Sequence, residues 1–295
     1  MKKYNLITAS LLTLGLTACG AQNTSTDNEN TAAQVKSAPG APGVEPFWAY
    51  AGKTGIGTSY EQYQKGQYSD SAATGDVSKV WFSIAKGMIT ETMFGLIHQA
   101  QIKDMQFVVT GKDFTVTEAD ELDVTIDYLY KDAQGRPLSL AYKVTSTDKQ
   151  GRFSLEKHIF TDPDGQTLFV RSVFNTELEG LKAYVVVNPY INNNGLGDFA
   201  KTTEQGLVAW EDDNYLSLQS ATPFKAKTVG FTGESDGINA LKTTQALNTY
   251  YTNTGETAGN VSMLAELGDI STNTTFDLAL SFGKTQQQSI QQGEQ

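Results

Sequence analysis

Histidine and cysteine are the scarcest reactive residues of this 295-residue chain, with two copies and one copy. A single cysteine, Cys19, excludes an internal disulfide and any multi-cysteine metal site. His98 and His158 are far apart in sequence and fit no HExxH pattern, so the sequence predicts neither zinc nor another metal, and no cofactor. Basic residues are also short: 22 Lys and Arg face 33 Asp and Glu, leaving a formal charge of −11. An acidic surface repels nucleic acid and anionic head groups, which excludes nucleic-acid partners. Long apolar runs are missing as well. The stretch from Leu6 to Leu16 is too short to span a bilayer and, with Lys2 and Lys3 before it, has the proportions of a secretory signal.

That stretch ends in Leu16-Thr17-Ala18-Cys19, which resembles the lipobox of bacterial lipoproteins. The resemblance implies lipidation of Cys19 after removal of residues 1–18; an ordinary signal peptide cut near Ala18 is the alternative. Cleavage removes Lys2 and Lys3 and takes the formal charge from −11 to −13, so contact with the membrane is expected through the lipid anchor alone. Gly20 after the cysteine resembles the signal for outer-membrane sorting, which implies the periplasm or the cell surface. Residues 19–38 are polar and read as a disordered tether. Residues 284–295, KTQQQSIQQGEQ, read as a disordered tail, and one globular domain is expected over 39–283.

Within that domain, alternation of period two dominates. Leu122, Val124, Ile126, Tyr128 and Tyr130 share one face of LDVTIDYLY, and Phe276, Leu278, Leu280 and Phe282 share one face of FDLALSF. Turn chemistry at Asp132–Gly135, Asp148–Gly151 and Asp162–Gly165 joins neighbouring runs into an antiparallel meander. Further strands are expected around VWFSI, MQFVVT, KAYVVVN, YLSLQS, KAKTVGFT and VSMLAEL, and a helix only over about Ile238 to Leu247. The sequence therefore predicts an all-β fold, a large antiparallel β-sandwich.

The motifs that suggest chemistry are incomplete. Gly52-Lys53-Thr54 ends like a phosphate-binding loop, but Phe47 stands where its first glycine belongs and prolines precede it. GESDG, Gly233 to Gly237, fits a nucleophile elbow, yet both histidines precede Ser235 and α/β-hydrolases place theirs after it; a turn is the simpler reading. Asp162-Pro163-Asp164-Gly165 is too short for a calcium loop and reads as a hairpin turn. His158 falls on the polar face of its strand with Arg152, Ser154 and Glu156. Trp81 reads as core, and acids abound without a spacing that selects a glycosidase pair.

APGVEPFWAYAGKTGIGT, VWFSIAKGMITETMF, the Asp104 region, KHIFTDPDGQTLFVRSVF, VNPYINNNGLGD, VGFTGESDG and LALSFG resemble, in that order, the N-terminal domain of bacterial glucoamylases and glucodextranases of glycoside hydrolase family fifteen. The resemblance implies a supersandwich like that of galactose mutarotase, and makes GKTGIGT a loop at the start of the domain. It further implies an α-glucan or maltooligosaccharide as ligand and a helical (α/α)6 barrel, carrying two catalytic glutamates, as partner. No run of amphipathic helices is legible here, so a non-catalytic role as scaffold or carbohydrate-contacting module is expected, with no catalytic residue in the chain. A stand-alone lipoprotein that binds α-glucan and a mutarotase-like sugar epimerase are the alternatives. Candidate contacts to sugar or partner domain are Trp48, Tyr50, Phe94, His98, Asp104 and Asp236. Met93 to His98 depart from the Tyr-Tyr-Pro-Arg-x-Asp stretch usual in the family, and Ile238 replaces a tryptophan.

Overall fold

A computed structural model describes residues 36–48, 50–58, 80–94, 98–120 and 122–294. The expected signal peptide, Cys19 and nearly all of the tether lie outside the described residues. Among the described residues, sixteen strands form two antiparallel sheets. The first sheet runs β1 (Lys53–Thr58), β2 (Val80–Ala85), β3 (Met88–Phe94), β4 (Ile102–Thr110), β10 (Lys182–Pro189), β15 (Val261–Asp269) and β14 (Ala226–Phe231), with the short β5 (Thr115–Thr117) beside β4. The second runs β11 (Phe199–Thr202), β12 (Gly206–Glu211), β13 (Asn214–Ser220), β16 (Thr274–Gly283), β9 (Thr167–Asn175), β8 (Ser154–Thr161), β7 (Tyr142–Asp148) and β6 (Leu122–Tyr128). The meander expected from the three Asp-to-Gly turns is β6 to β9, and each turn closes through its aspartate: Gly135 N–H donates to Asp132 O at 2.9 Å, Gly151 N–H to Asp148 O at 2.8 Å, and Asp164 N–H to Asp162 Oδ1 at 2.9 Å.

The facing sides of the sheets bury one continuous core. Phe82, Ile84, Met105, Phe107, Val185, Val187 and Met263 of the first sheet meet Leu155, Ile159, Leu168, Val170, Leu218 and Phe282 of the second. Phe276, Leu278, Leu280 and Phe282 all point inward as their alternation requires. A second, smaller cluster lies on the outer face of the first sheet, where Val108, Tyr184, Val186 and Leu264 pack against Leu241 of helix α1 (Gly237–Thr244). Strand β10 is thus buried on both sides, which explains its unbroken apolar run, KAYVVVN. A buried ion pair crosses the core: Lys157 of β8, wholly inaccessible, reaches Glu118 and donates to Gly87 O at 2.5 Å in the β2–β3 turn.

Three expectations need correction. GKTGIGT is not a loop: Lys53–Thr58 is edge strand β1, and its glycines serve packing, since a Cβ at Gly57 would lie 2.2 Å from Phe82 Cζ and 2.7 Å from Leu140 O. The segment expected to be a disordered tail instead forms helix α2 (Gln286–Glu294) on the outer face of β16 and β13. Its seat is polar. Ser217 Oγ donates to Ser289 O at 2.8 Å, Thr167 Oγ1 to Gln292 O at 2.9 Å, and Gly283 leaves room for Ser289. Trp81, expected in the core, is only half-buried, because Val80, Phe82 and Ile84 take the inward positions of β2.

Candidate functional site

Strand alternation sends Ser83, Thr90, Asp104, Asn188 and Ser262 to the outer face of the first sheet, and register aligns the first four as a polar row across β2, β3, β4 and β10. All are buried. A buried carboxylate needs donors, and Asp104, wholly inaccessible, accepts from Asn188 Nδ2 at 2.7 Å and Gln106 Nε2 at 3.2 Å on Oδ1, and from Tyr50 Oη at 2.9 Å on Oδ2. Lys103 Nζ lies 3.6 Å from Oδ2. Burial, and then the Asp104 carboxylate, push the Tyr50 hydroxyl far above its ordinary pKa, so it remains a donor. With both oxygens engaged, Asp104 anchors Tyr50.

Tyr50 in turn belongs to an N-terminal segment that crosses the molecule. Ala38 N–H donates to Asn253 O at 2.8 Å and Val44 N–H to Thr232 O at 2.9 Å, which lays residues 36–44 along β14 and the 252–260 loop. The chain then presents Phe47 and Trp48 to solvent, 51% and 47% exposed. Phe47 stands edge-on to Tyr50 with ring centroids 5.0 Å apart, and the Lys103 ammonium sits 4.4 Å above its face. Trp48 packs on Tyr190 at 5.1 Å. Close approach decides the neighbouring sequence: a Cβ at Gly195 would lie 2.5 Å from the Tyr190 ring and 2.8 Å from Pro46.

The loop from Tyr190 to Asp198 completes this face. Asn192 and Asn193 take left-handed backbone conformations, φ 56° and 61°, which asparagine tolerates. Asn193 ties the loop to the 98–100 segment, accepting from Ala100 N–H and donating to His98 O, both at 2.8 Å. Beneath it the Asp198 carboxyl is buried and accepts from Ile191 N–H at 3.2 Å. Burial, with the charge of Glu211 next, raises Asp198 well above the usual carboxylate range, and burial raises Glu211 too.

Of the six residues expected to make contacts, the structure brings together Tyr50 and Asp104, whereas Trp48, in the same segment, packs on Tyr190. His98 is exposed beside the 190–198 loop, engaged through its backbone carbonyl. Phe94 is only 7% exposed and stacks on Phe282 at 5.5 Å, so its ring has no face for a ligand. Asp236 is the N-cap of α1, accepting from Asn239 N–H at 2.9 Å, with Gly233 N–H on its other oxygen at 2.5 Å. Ser235 of the same turn donates to Pro39 O at 2.7 Å and accepts from Phe231 N–H at 3.0 Å. Lys53 pairs with Glu91. Sequence reasoning missed Gln106, Asn188 and Tyr190; the outward phase of Asn188 within apolar β10 was the available signal.

The two stacked antiparallel sheets, with a polar row under an aromatic edge, define a β-sandwich module of the large kind. Residues 38–295 match the family described as glucodextranase, domain N, and the chain belongs to that family. A glucoamylase of Clostridium sp. (strain G0005) is 32% identical over 263 residues, which cover 86% of this chain and 34% of the relative. The crystal structure of a bacterial glucoamylase complexed with acarbose is similar with a TM-score of 0.75 at 28% identity, over 88% of this chain and 36% of that one. The chain spans about a third of the length of each.

Proposed function

We propose that this chain serves, without catalysis of its own, as the N-terminal-type module of a glucoamylase- or glucodextranase-like system for α-glucan hydrolysis, anchored by a lipid on Cys19 in the periplasm or at the cell surface of the outer membrane. The match to domain N over residues 38–295 carries the reading. The face built by Phe47, Trp48 and Tyr190 is the surface on which a helical (α/α)6 barrel rests: Phe47 and Trp48 are exposed, Phe47 is braced by Tyr50, which Asp104 holds, and Trp48 is backed by Tyr190. Such a surface supplies packing area, whereas inverting hydrolysis needs an acid and a base about 6.5 to 9.5 Å apart across a sugar ring. Incubation of the purified chain with maltotriose and isomaltotriose, with glucose release measured, is expected to give no turnover. Release abolished by one carboxylate substitution within this chain overturns the reading. For the anchor, a fatty-acid probe should label the wild type in bacterial cells and leave Cys19→Ser unlabelled.

A further inference from the structure

The outer face of the second sheet carries a groove that the Trp48 face does not explain. Outward positions put Phe160 of β8 opposite Phe169 of β9, with ring centroids 5.6 Å apart and tilted by 31°, and Phe160 is 39% exposed. Small Ala279 of β16 is next in the row, so the floor drops beyond Phe169 and rises again at Gln219 of β13 and at the end of α2. On the other side of the pair, Tyr130, 61% exposed, walls a second depression that shares Phe169 and Asp277 with the first. The combined trough crosses the sheet from β13 to β8, three strand spacings of about 4.8 Å, or about 14 Å.

We infer that this trough binds a chain of neutral sugars. Two tilted rings and an exposed tyrosine provide apolar faces for the C–H side of pyranoses. Planar polar groups line the same trough for hydroxyl recognition: Arg171 and Asp277 in the cross-strand row beside the rings, Gln219 at the far wall. Arg171 is neutralised by a two-pronged pair with Asp277, Nε–Oδ1 2.7 Å and Nη2–Oδ2 2.9 Å, so the floor favours no anion, and a chain of net charge −11 does not attract one. The pair leaves lone pairs and N–H groups free to meet hydroxyls, as a fixed donor-and-acceptor plate. The choice of an α-glucan as the sugar rests on the proposed glucan-hydrolase association; the site rests on the groove alone.

The test is native electrophoresis of the full chain in gels containing amylopectin, dextran or no polysaccharide, with thermal midpoints recorded for each variant. Wild type should be retarded in at least one glucan gel. Phe160→Ala, at an exposed ring whose loss spares the core, and Phe169→Ala should each weaken binding by about tenfold. Leu178→Ala, an exposed side chain outside the trough, should migrate as wild type. Retardation that survives both phenylalanine changes, retardation lost with Leu178→Ala, or no retardation of the wild type in either glucan overturns the inference. None of these outcomes bears on glucose release, so the groove and the proposed non-catalytic role fail separately.

Discussion

The two sheets wear helices of opposite character. On the first, α1 sets Leu241 into an apolar bed of Val108, Tyr184, Val186 and Leu264. On the second, α2 lies on Ser217, Ser281 and Gly283 and is held by hydrogen bonds to Ser289 O and Gln292 O. An apolar seat is driven by area removed from water, about 25 cal/mol per Å2. A polar seat exchanges water for protein partners at about 1 kcal/mol per bond. The first sheet therefore carries an apolar helix seat on its outer face, whereas the outer face of the second holds a groove and a helix seated by hydrogen bonds.

Substitutions can break or sharpen that contrast, read by denaturant unfolding. Phe282→Ala, in the core that both sheets share, should cost about 3 to 5 kcal/mol. Leu241→Ala, under α1, should cost about 2 kcal/mol, the low end for a buried leucine, since its cluster is small. Ser217→Ala, under α2, should cost about 1 kcal/mol and raise hydrogen exchange within α2 alone. A loss there as large as that of Leu241→Ala would show the two seats to be equal. The smallest effect belongs to the exposed Arg171–Asp277 pair: Asp277→Ala should cost less than about 1 kcal/mol at neutral pH. Its pH dependence has a fixed sign. The Arg171 hydrogen bond holds Asp277 below its ordinary 3.8, so its contribution is present above that value and is lost as pH falls through the lower folded one. Wild type and variant should thus converge in stability on acidification.

Where burial followed hydrophobicity, the sequence was legible. Phe276 to Phe282 point inward, the three Asp-to-Gly turns close the meander, and α1 ends at Gln245 in a left-handed conformation close to its expected end. Strand β1 escaped notice because Gly55 and Gly57 remove the alternation that marks a strand, although it is their lack of a side chain that admits Tyr142 and Phe82. Helix α2 escaped because QQQSIQQGE offers scarcely any apolar stripe, and only the small polar residues of β13 and β16 make a seat for it. The candidate site was half legible. Trp48, Tyr50 and Asp104 came from an ordered resemblance, but no spacing announces that Tyr50 crosses to Asp104 or that Asn188 arrives beside it, because those meetings depend on strand order. Phe94 and Asp236 illustrate the converse: near the expected surface in sequence, they are spent on the core and on a helix cap.

The ion pair between Lys157 and Glu118 also constrains how this chain can change over generations. The lysine sits in the inward phase of β8, between Leu155 and Ile159, and burial lowers its pKa while Glu118 opposes that shift. Replacing either partner alone strands a buried charge, at about 3 to 5 kcal/mol, a large fraction of the roughly 5 to 15 kcal/mol that a domain has in reserve. Replacing both by apolar residues of similar volume is often neutral. The two positions are therefore free to drift only as a couple, and a lineage that carries the pair is separated from one that lacks it by a valley that single substitutions cross poorly.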